Sequence, residues 1–200
     1  MKKLITWQGD ILKKSKFFLI FIFFSIFPTL AYTSERWALD KTLSTIEFEL
    51  PVLFAKNVKG KFNSIEGFVE LNLDQKENNK AIFSVKIDDL DMNYFNYKNL
   101  LLSNIFFDTA QFPKAVIDTK KFSYDNEEEI ELSVELTLKG KSEIVPLNIY
   151  VKRLAEELVQ IQSELIFSRI NFGIGMGRWQ NTSILKDKIK IRTNLFLFRE

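Results

Sequence analysis

Residues 130–138, IELSVELTL, alternate without interruption. Ile130, Leu132, Val134, Leu136 and Leu138 fall on one side, and Glu131, Ser133, Glu135 and Thr137 on the other. Side chains of an extended chain point to opposite faces in turn, so this pattern predicts a strand with one buried face. TIEFEL (45–50) repeats it with Ile46, Phe48 and Leu50, and GFVELNL (67–73) with Val69, Leu71 and Leu73. IFSVKI (82–87), VPLNIYV (145–151), VQIQSELIF (159–167) and KIKIRTNLFLF (188–198) follow the same period. Pro146 brings no N–H to a ladder, which predicts that its segment begins a strand or lies at an edge. Polar turn stretches separate the runs at 74–80, 124–129 and 139–142. The exception is NYFNYKNLLLSNIFFD (93–108), which lacks strict alternation and predicts a short helix near 96–103 followed by a loop. Seven or eight strands in one domain mean an antiparallel barrel or sandwich.

The first 31 residues obey a different rule. A basic lead, MKKLITWQGDILKKSK, runs into the apolar FFLIFIFFSIF, and Thr29-Leu30-Ala31 closes the segment with small residues. That order is the pattern of a secretory signal peptide, and the apolar run is shorter than the roughly 20 residues of a membrane span. The expected division is therefore a signal peptide at 1–31 and a single domain at 32–200. The segment holds five lysines and Asp10, so without it the net charge passes from +2 to −2. An acidic mature domain does not fit a nucleic-acid partner.

The chain has no histidine and no cysteine. Ser-His-Asp and Cys-His nucleophilic sites are excluded, as are zinc sites built on those ligands. Asp88, Asp89 and Asp91 offer carboxylates, but a turn of solvated acids accounts for them. The expectation is a protein that is not an enzyme and needs no cofactor. What remains is apolar bulk: fourteen of the twenty phenylalanines lie beyond residue 31. Phe54, Phe62, Phe95, Phe106, Phe107, Phe112 and Phe172 sit off the strand pattern, as core or as the lining of a ligand-holding barrel.

SRINFGIGMGRW (168–179) concentrates three of the seven glycines, Gly173, Gly175 and Gly177. The spacing is not that of a dinucleotide loop, and no helix is expected after it. In an extended segment the three share one bare face, with Phe172, Ile174 and Met176 on the other. Two readings stand: a bend or bulge in a barrel strand, or a backbone kept bare so that a ligand approaches. Arg169 and Arg178 flank the segment as candidates for gripping an anionic head group with paired hydrogen bonds. The candidate ligand-binding residues are thus Phe54, Phe62, Phe106, Phe172, Gly173, Gly175, Met176, Arg169 and Arg178.

Five segments, in order, resemble one family. They are WALDKTLSTIEFEL (37–50), VKGKFNSIEGFVEL (58–71), LLSNIFFDTAQFPKAVI (101–117), VELTLKGKSEIVPL (134–147) and SRINFGIGMGRW. The family is the YceI-like periplasmic proteins, similar to polyisoprenoid-binding domains. The resemblance implies an eight-stranded antiparallel lipocalin-like barrel with a short helix at one side. It implies a periplasmic carrier or sequestering protein, with a long-chain isoprenoid or similar amphiphile, such as a polyprenyl phosphate or quinone, bound inside. Transient membrane contact would accompany loading. Leu43, Val52 and Leu100 stand where the family often has histidine, and Tyr97-Lys98 where it has Arg-Asp. Those departures motivate a second reading, an exported interaction or stress-response barrel that has lost the lipid role.

Overall fold

The computed structural model describes residues 34–53, 55–72 and 75–200, with the backbone alone at 55–57. The expectations for residues 1–31, for Phe54 and for Leu73 lie outside the described residues. Eleven strand segments run β1 (Ser34–Leu39), β2 (Thr45–Val52), β3 (Ala55–Phe62), β4 (Ile65–Asn72), β5 (Lys80–Lys86), β6 (Leu90–Met92), β7 (Lys114–Asp118), β8 (Glu129–Leu138), β9 (Lys141–Ala155), β10 (Leu158–Ser168) and β11 (Lys188–Arg199). Among the described residues one α-helix, α1 (Phe95–Leu102), falls between β6 and β7.

Three pairs of segments act as single long strands broken by a kink. β1 and β2 both pair with β11, β3 pairs with β2 as β4 does with β1, and β6 pairs with β3 as β5 does with β4. The ring then closes through β7, β8, β9, β10 and β11, all antiparallel. The result is the expected closed eight-stranded barrel with one short helix.

The family-like segments explain the kinks and turns. Asp40 Oδ1 accepts the amides of Thr42 and Leu43 at 2.7 and 2.8 Å, turning the chain between β1 and β2. Buried Ser44 then accepts the amide of Phe196 at 2.9 Å, which ties the turn to β11. Gly60 lies opposite Phe48 in the β2–β3 ladder, and a Cβ there would meet the Phe48 ring at 2.4 Å. Between β8 and β9 the turn is two residues long, Lys139 and Gly140, with φ of 48° and 71°. Left-handed values at both positions make the tight turn whose twist suits a hairpin.

Pro146 is the sixth residue of β9, so it does not open a strand. The β9–β10 ladder ends at Leu147 opposite Leu165, however, and residues 141–146 pair with β8 alone. Proline sits where β9 is locally an edge, which accommodates its missing N–H.

Candidate functional site

The barrel has two unlike ends. One is plugged by the loop between β10 and β11, and Arg169 organises it. This side chain is 1% exposed, and its Nε donates to the carbonyl of Lys186 at 3.0 Å. Nη1 donates to the carbonyls of Ile174 and Gly175, both at 2.9 Å. Nη2 donates to those of Trp179 and Leu185 at 2.6 and 2.8 Å. A guanidinium has five N–H groups, and all five are spent on loop carbonyls. Burial pulls its pKa down from the ordinary value, with the negative charge of Asp187 opposing. The expected anion-gripping role fails here on donor supply: no N–H of Arg169 remains for a phosphate.

The glycines are not in an extended segment. β10 ends at Ser168, and Gly173, Gly175 and Gly177 follow in the plug with φ of 68°, 68° and 66°. The bare face expected of a strand does not exist. These positions are glycine because left-handed backbone disfavours side chains. Gly175 has a second reason: a Cβ there would lie 2.9 Å from Arg169 Nη1 and 3.1 Å from the Phe106 ring. From the β8–β9 turn, Lys139 donates to the carbonyls of Asn104 and Gly173 at 2.7 and 3.1 Å. It thereby ties the plug to the segment after α1.

The described candidates gather at this plugged end. Phe62, Phe106 and Arg169 line a cavity of about 30 Å³ together with Phe48, Leu101 and Ile189. That is far below the roughly 300 Å³ at which pockets for drug-sized ligands begin. Phe172 is core, edge-on to Phe167 at 5.5 Å between centroids. Met176 is 37% exposed, and Arg178 is exposed beside the Trp179 ring at 5.3 Å. Neither Met176 nor Arg178 lines the cavity. At the positions where the resemblance led to an expectation of histidine, Val52 and Leu100 pack on the core, while Leu43 is exposed in the β1–β2 turn.

The other end is partly open, and the site expectations did not include it. β7 has five residues against ten in β8, and their ladder runs only from Thr137 to Glu135 on the β8 side. Residues 129–134 of β8 therefore have no β7 neighbour. Alternation from buried Val134, Leu147 and Leu165 fixes which residues face inward. Toward the open end the inward residues Leu132, Ile149 and Ile161 become half-buried. Ser163 and Thr193 also face inward there and share a hydrogen bond of 2.7 Å. Opposite this wall Trp37, Val69, Ala81 and Leu197 form a second buried cluster, against which Phe83, Phe122, Val159 and Ile161 pack. The arrangement is a cup: sealed apolar packing below, and an accessible apolar wall on β8–β10 above.

A rim of charge surrounds the opening. Arg199 reaches Glu35 at 3.3 Å, Glu156 at 3.4 Å and Glu157 at 3.7 Å. Arg153 donates to the carbonyl of Glu156 at 3.0 Å. A groove of about 340 Å³ on the outer surface across β2, β3, β6 and β11 includes Glu47, Glu49, Lys59, Lys61, Lys190 and Arg192 in its lining. Charges of both signs in water do not suit an apolar ligand, so the inner wall is the better candidate. Among the described residues no group of acidic side chains gathers to hold a metal ion. No described helix is long and apolar enough to cross a membrane.

Solved structures share the fold. BcnA of Burkholderia cenocepacia is 20% identical with a TM-score of 0.72, over 79% of this chain and 98% of that one. A polyisoprenoid-binding domain from Saccharophagus degradans, implicated in plant cell wall breakdown, is 15% identical with a TM-score of 0.67, over 82% and 98%. The YceI protein of Campylobacter jejuni is 21% identical with a TM-score of 0.61, over 74% and 88%. No curated protein matches the chain. The model of the YceI-like domain matches residues 37–197, from the tryptophan ahead of the first kink to the last inward leucine of β11, and the chain belongs to that family.

Proposed function

We propose that this chain is an exported, non-catalytic barrel that carries or sequesters a long-chain isoprenoid or similar amphiphile. One observation carries the reading: the inward apolar wall of β8–β10 stays half-open although the same strands are fully packed two to four residues further down. Exposing Leu132, Ile149 and Ile161 to water costs free energy that an apolar tail would recover, about 0.8 kcal/mol per methylene buried. The family and the polyisoprenoid-binding neighbour support the same ligand class. Summed over about 40 carbons, transfer from water gives roughly 30 kcal/mol, beyond the observed ceiling near 20. Water is the wrong reference, because such a lipid comes from a bilayer. Exchange between bilayer and barrel is near balance, which suits loading and unloading.

Native mass spectrometry of the protein from its own host tests this reading. A co-purifying lipid supports it. A bare protein that neither extracts labelled isoprenoid from vesicles nor delivers it overturns it. The small volume of the cavity at the plugged end favours the second reading, an interaction barrel without lipid, and the same experiment separates the two. Export is tested on the same sample. The signal-like pattern ending in Thr29-Leu30-Ala31 predicts a periplasmic protein beginning at Tyr32. An intact mass that includes residues 1–31, found only in membranes, rejects cleavage.

A further inference from the structure

The two ends of the barrel differ in charge as well as in packing. In an antiparallel barrel every second connection lies at the same end, so the β2–β3 turn, the α1 segment and the β8–β9 turn join the plug. The surface there carries cations without partners. Arg178, Lys186 and Lys188 are exposed, and none of them enters an ion pair among the described residues. The acids at this end are engaged. Asp187 accepts the Ser168 hydroxyl at 2.8 Å and the Ile170 amide at 3.2 Å. Glu143 accepts the side-chain amide of Asn171 at 2.8 Å, and Lys141 donates to the carbonyl of the same residue at 3.3 Å. Asp108 lies within electrostatic reach of Lys139. At the open end carboxylates prevail: the connections 119–128 and 156–157 hold five of them against two lysines.

Apolar side chains are exposed among these cations. Leu53 is 57% exposed, Ile105 43% and Met176 37%. Single exposed hydrophobics are ordinary, whereas a group of them marks a surface of contact. The plug holds this group together. The carbonyl of Ile105 accepts the amides of Gly175 and Met176 at 2.9 and 3.5 Å, and the amide of Leu53 donates to the carbonyl of Ile184 at 2.9 Å. Arg169 Nη2 spans the two arms of the loop by bonding the carbonyls of both Trp179 and Leu185. Half-buried Trp179 and Ile184 lie along the loop between Met176 on one arm and the Leu53 contact on the other. Lys186 joins the same edge, its amide donating to the carbonyl of Pro51 at 3.2 Å. The surface is preformed, because the bonds of Arg169 fix the loop that displays it.

Exposed apolar side chains beside unpaired cations attach a protein to a bilayer by two additive terms. The apolar groups enter the interface, and the cations are attracted to anionic head groups. We propose that the plugged end docks on the surface of an anionic bilayer, with Leu53, Ile105 and Met176 entering the head-group layer and Arg178, Lys186 and Lys188 facing its phosphates. The acidic mouth, repelled by the same surface, then points away from it. Attachment through the plug is a separate event from any exchange through the mouth. The inference therefore stands apart from the lipid-binding reading: it concerns the outer surface of the plug and holds whatever the lumen contains.

The chain has no cysteine, so one introduced thiol carries a label at one chosen place. Met176→Cys in the plug and Glu156→Cys in the β9–β10 turn are each coupled, in the full chain, to a fluorophore that brightens in apolar surroundings. The vesicles are phosphatidylcholine alone or an equal mixture of phosphatidylcholine and phosphatidylglycerol. With the mixed vesicles the label at 176 should brighten and shift to the blue, and the label at 156 should not change. Arg178→Gln with Lys186→Gln, made in the Met176→Cys chain, should raise the lipid concentration needed about 25-fold, at roughly fivefold per cation near an anionic surface. Added salt should act in the same direction. Both side chains are exposed, so an unchanged melting temperature separates lost docking from lost fold. The proposal is overturned if the label at 156 responds as strongly as the label at 176, or if neither responds. It is equally overturned if the double variant, or phosphatidylcholine alone, gives the full response.

Discussion

Gly175 and Gly177 share a backbone conformation but not an environment, and the difference separates two costs. Both have positive φ, which costs a non-glycine residue about 1–2 kcal/mol. A Cβ at Gly177 meets nothing within 4 Å, whereas one at Gly175 enters the space of Arg169 Nη1 and the Phe106 ring. Gly177→Ala should therefore cost about 1–2 kcal/mol, the strain alone. Gly175→Ala should add the overpacking of a filled site, about 1–3 kcal/mol more. Denaturant midpoints of the two variants check this, and equal midpoints would mean that the plug yields around Arg169. Arg169 explains why a motif of arginine and glycines recurs in one stretch: the glycines bend the backbone so that its carbonyls converge on a single buried cation. A guanidinium supplies five donors in a fixed fork, and a lysine ammonium supplies three.

At the scale of the element, period two identified most of the strands, because one face of each is buried. β8 tests the assignment of faces. Leu136 is buried within the barrel, and Glu135 points outward, with its carboxylate 3.0 Å from Lys120. Leu136→Asp should cost several kcal/mol by burying an unpaired charge. Glu135→Lys loses only a surface ion pair and should cost under about 1 kcal/mol. Urea unfolding of both variants measures it, and similar losses would place the inner face wrongly. The helix was legible in LLL at 100–102, the point where alternation stops, and α1 ends there. β1, β3, β6 and β7 were not legible. Each is short or interrupted, and β3 reads AKNVKGKF, where glycine takes the place of an inward side chain under Phe48. The plug failed for a related reason. GIGMG has the spacing of a strand face, and nothing in periodicity distinguishes alternate glycines on one face from alternate glycines at positive φ.

Across the whole molecule, several of the residues that resemble the family proved to build the closed end and the kinks: Asp40, Ser44, Gly60, Gly140, Arg169 and Gly175. The open wall is made of ordinary alternating strand residues, so nothing in the sequence marked Leu132 or Ile149 as special. What exposes them is the length of β7 relative to β8, a property of register rather than of residue type. The two halves of the cup therefore invite a comparison within one strand. Leu147 and Ile149 lie on the same inward face of β9, two residues apart; the first is 6% exposed and the second half-buried. Leu147→Trp puts a larger ring into filled space and should destabilise by about 1–3 kcal/mol or more. Ile149→Trp grows into the open part of the lumen, where added apolar area is tolerated, and should change stability by less than about 1 kcal/mol. The same ring occupies the surface proposed for the lipid tail, so Ile149→Trp should lose co-purifying lipid while folding normally. Thermal melts and native mass spectra of both variants decide it. If Ile149→Trp melts as early as Leu147→Trp, the upper lumen is as full as the lower one and the barrel has no room for a tail.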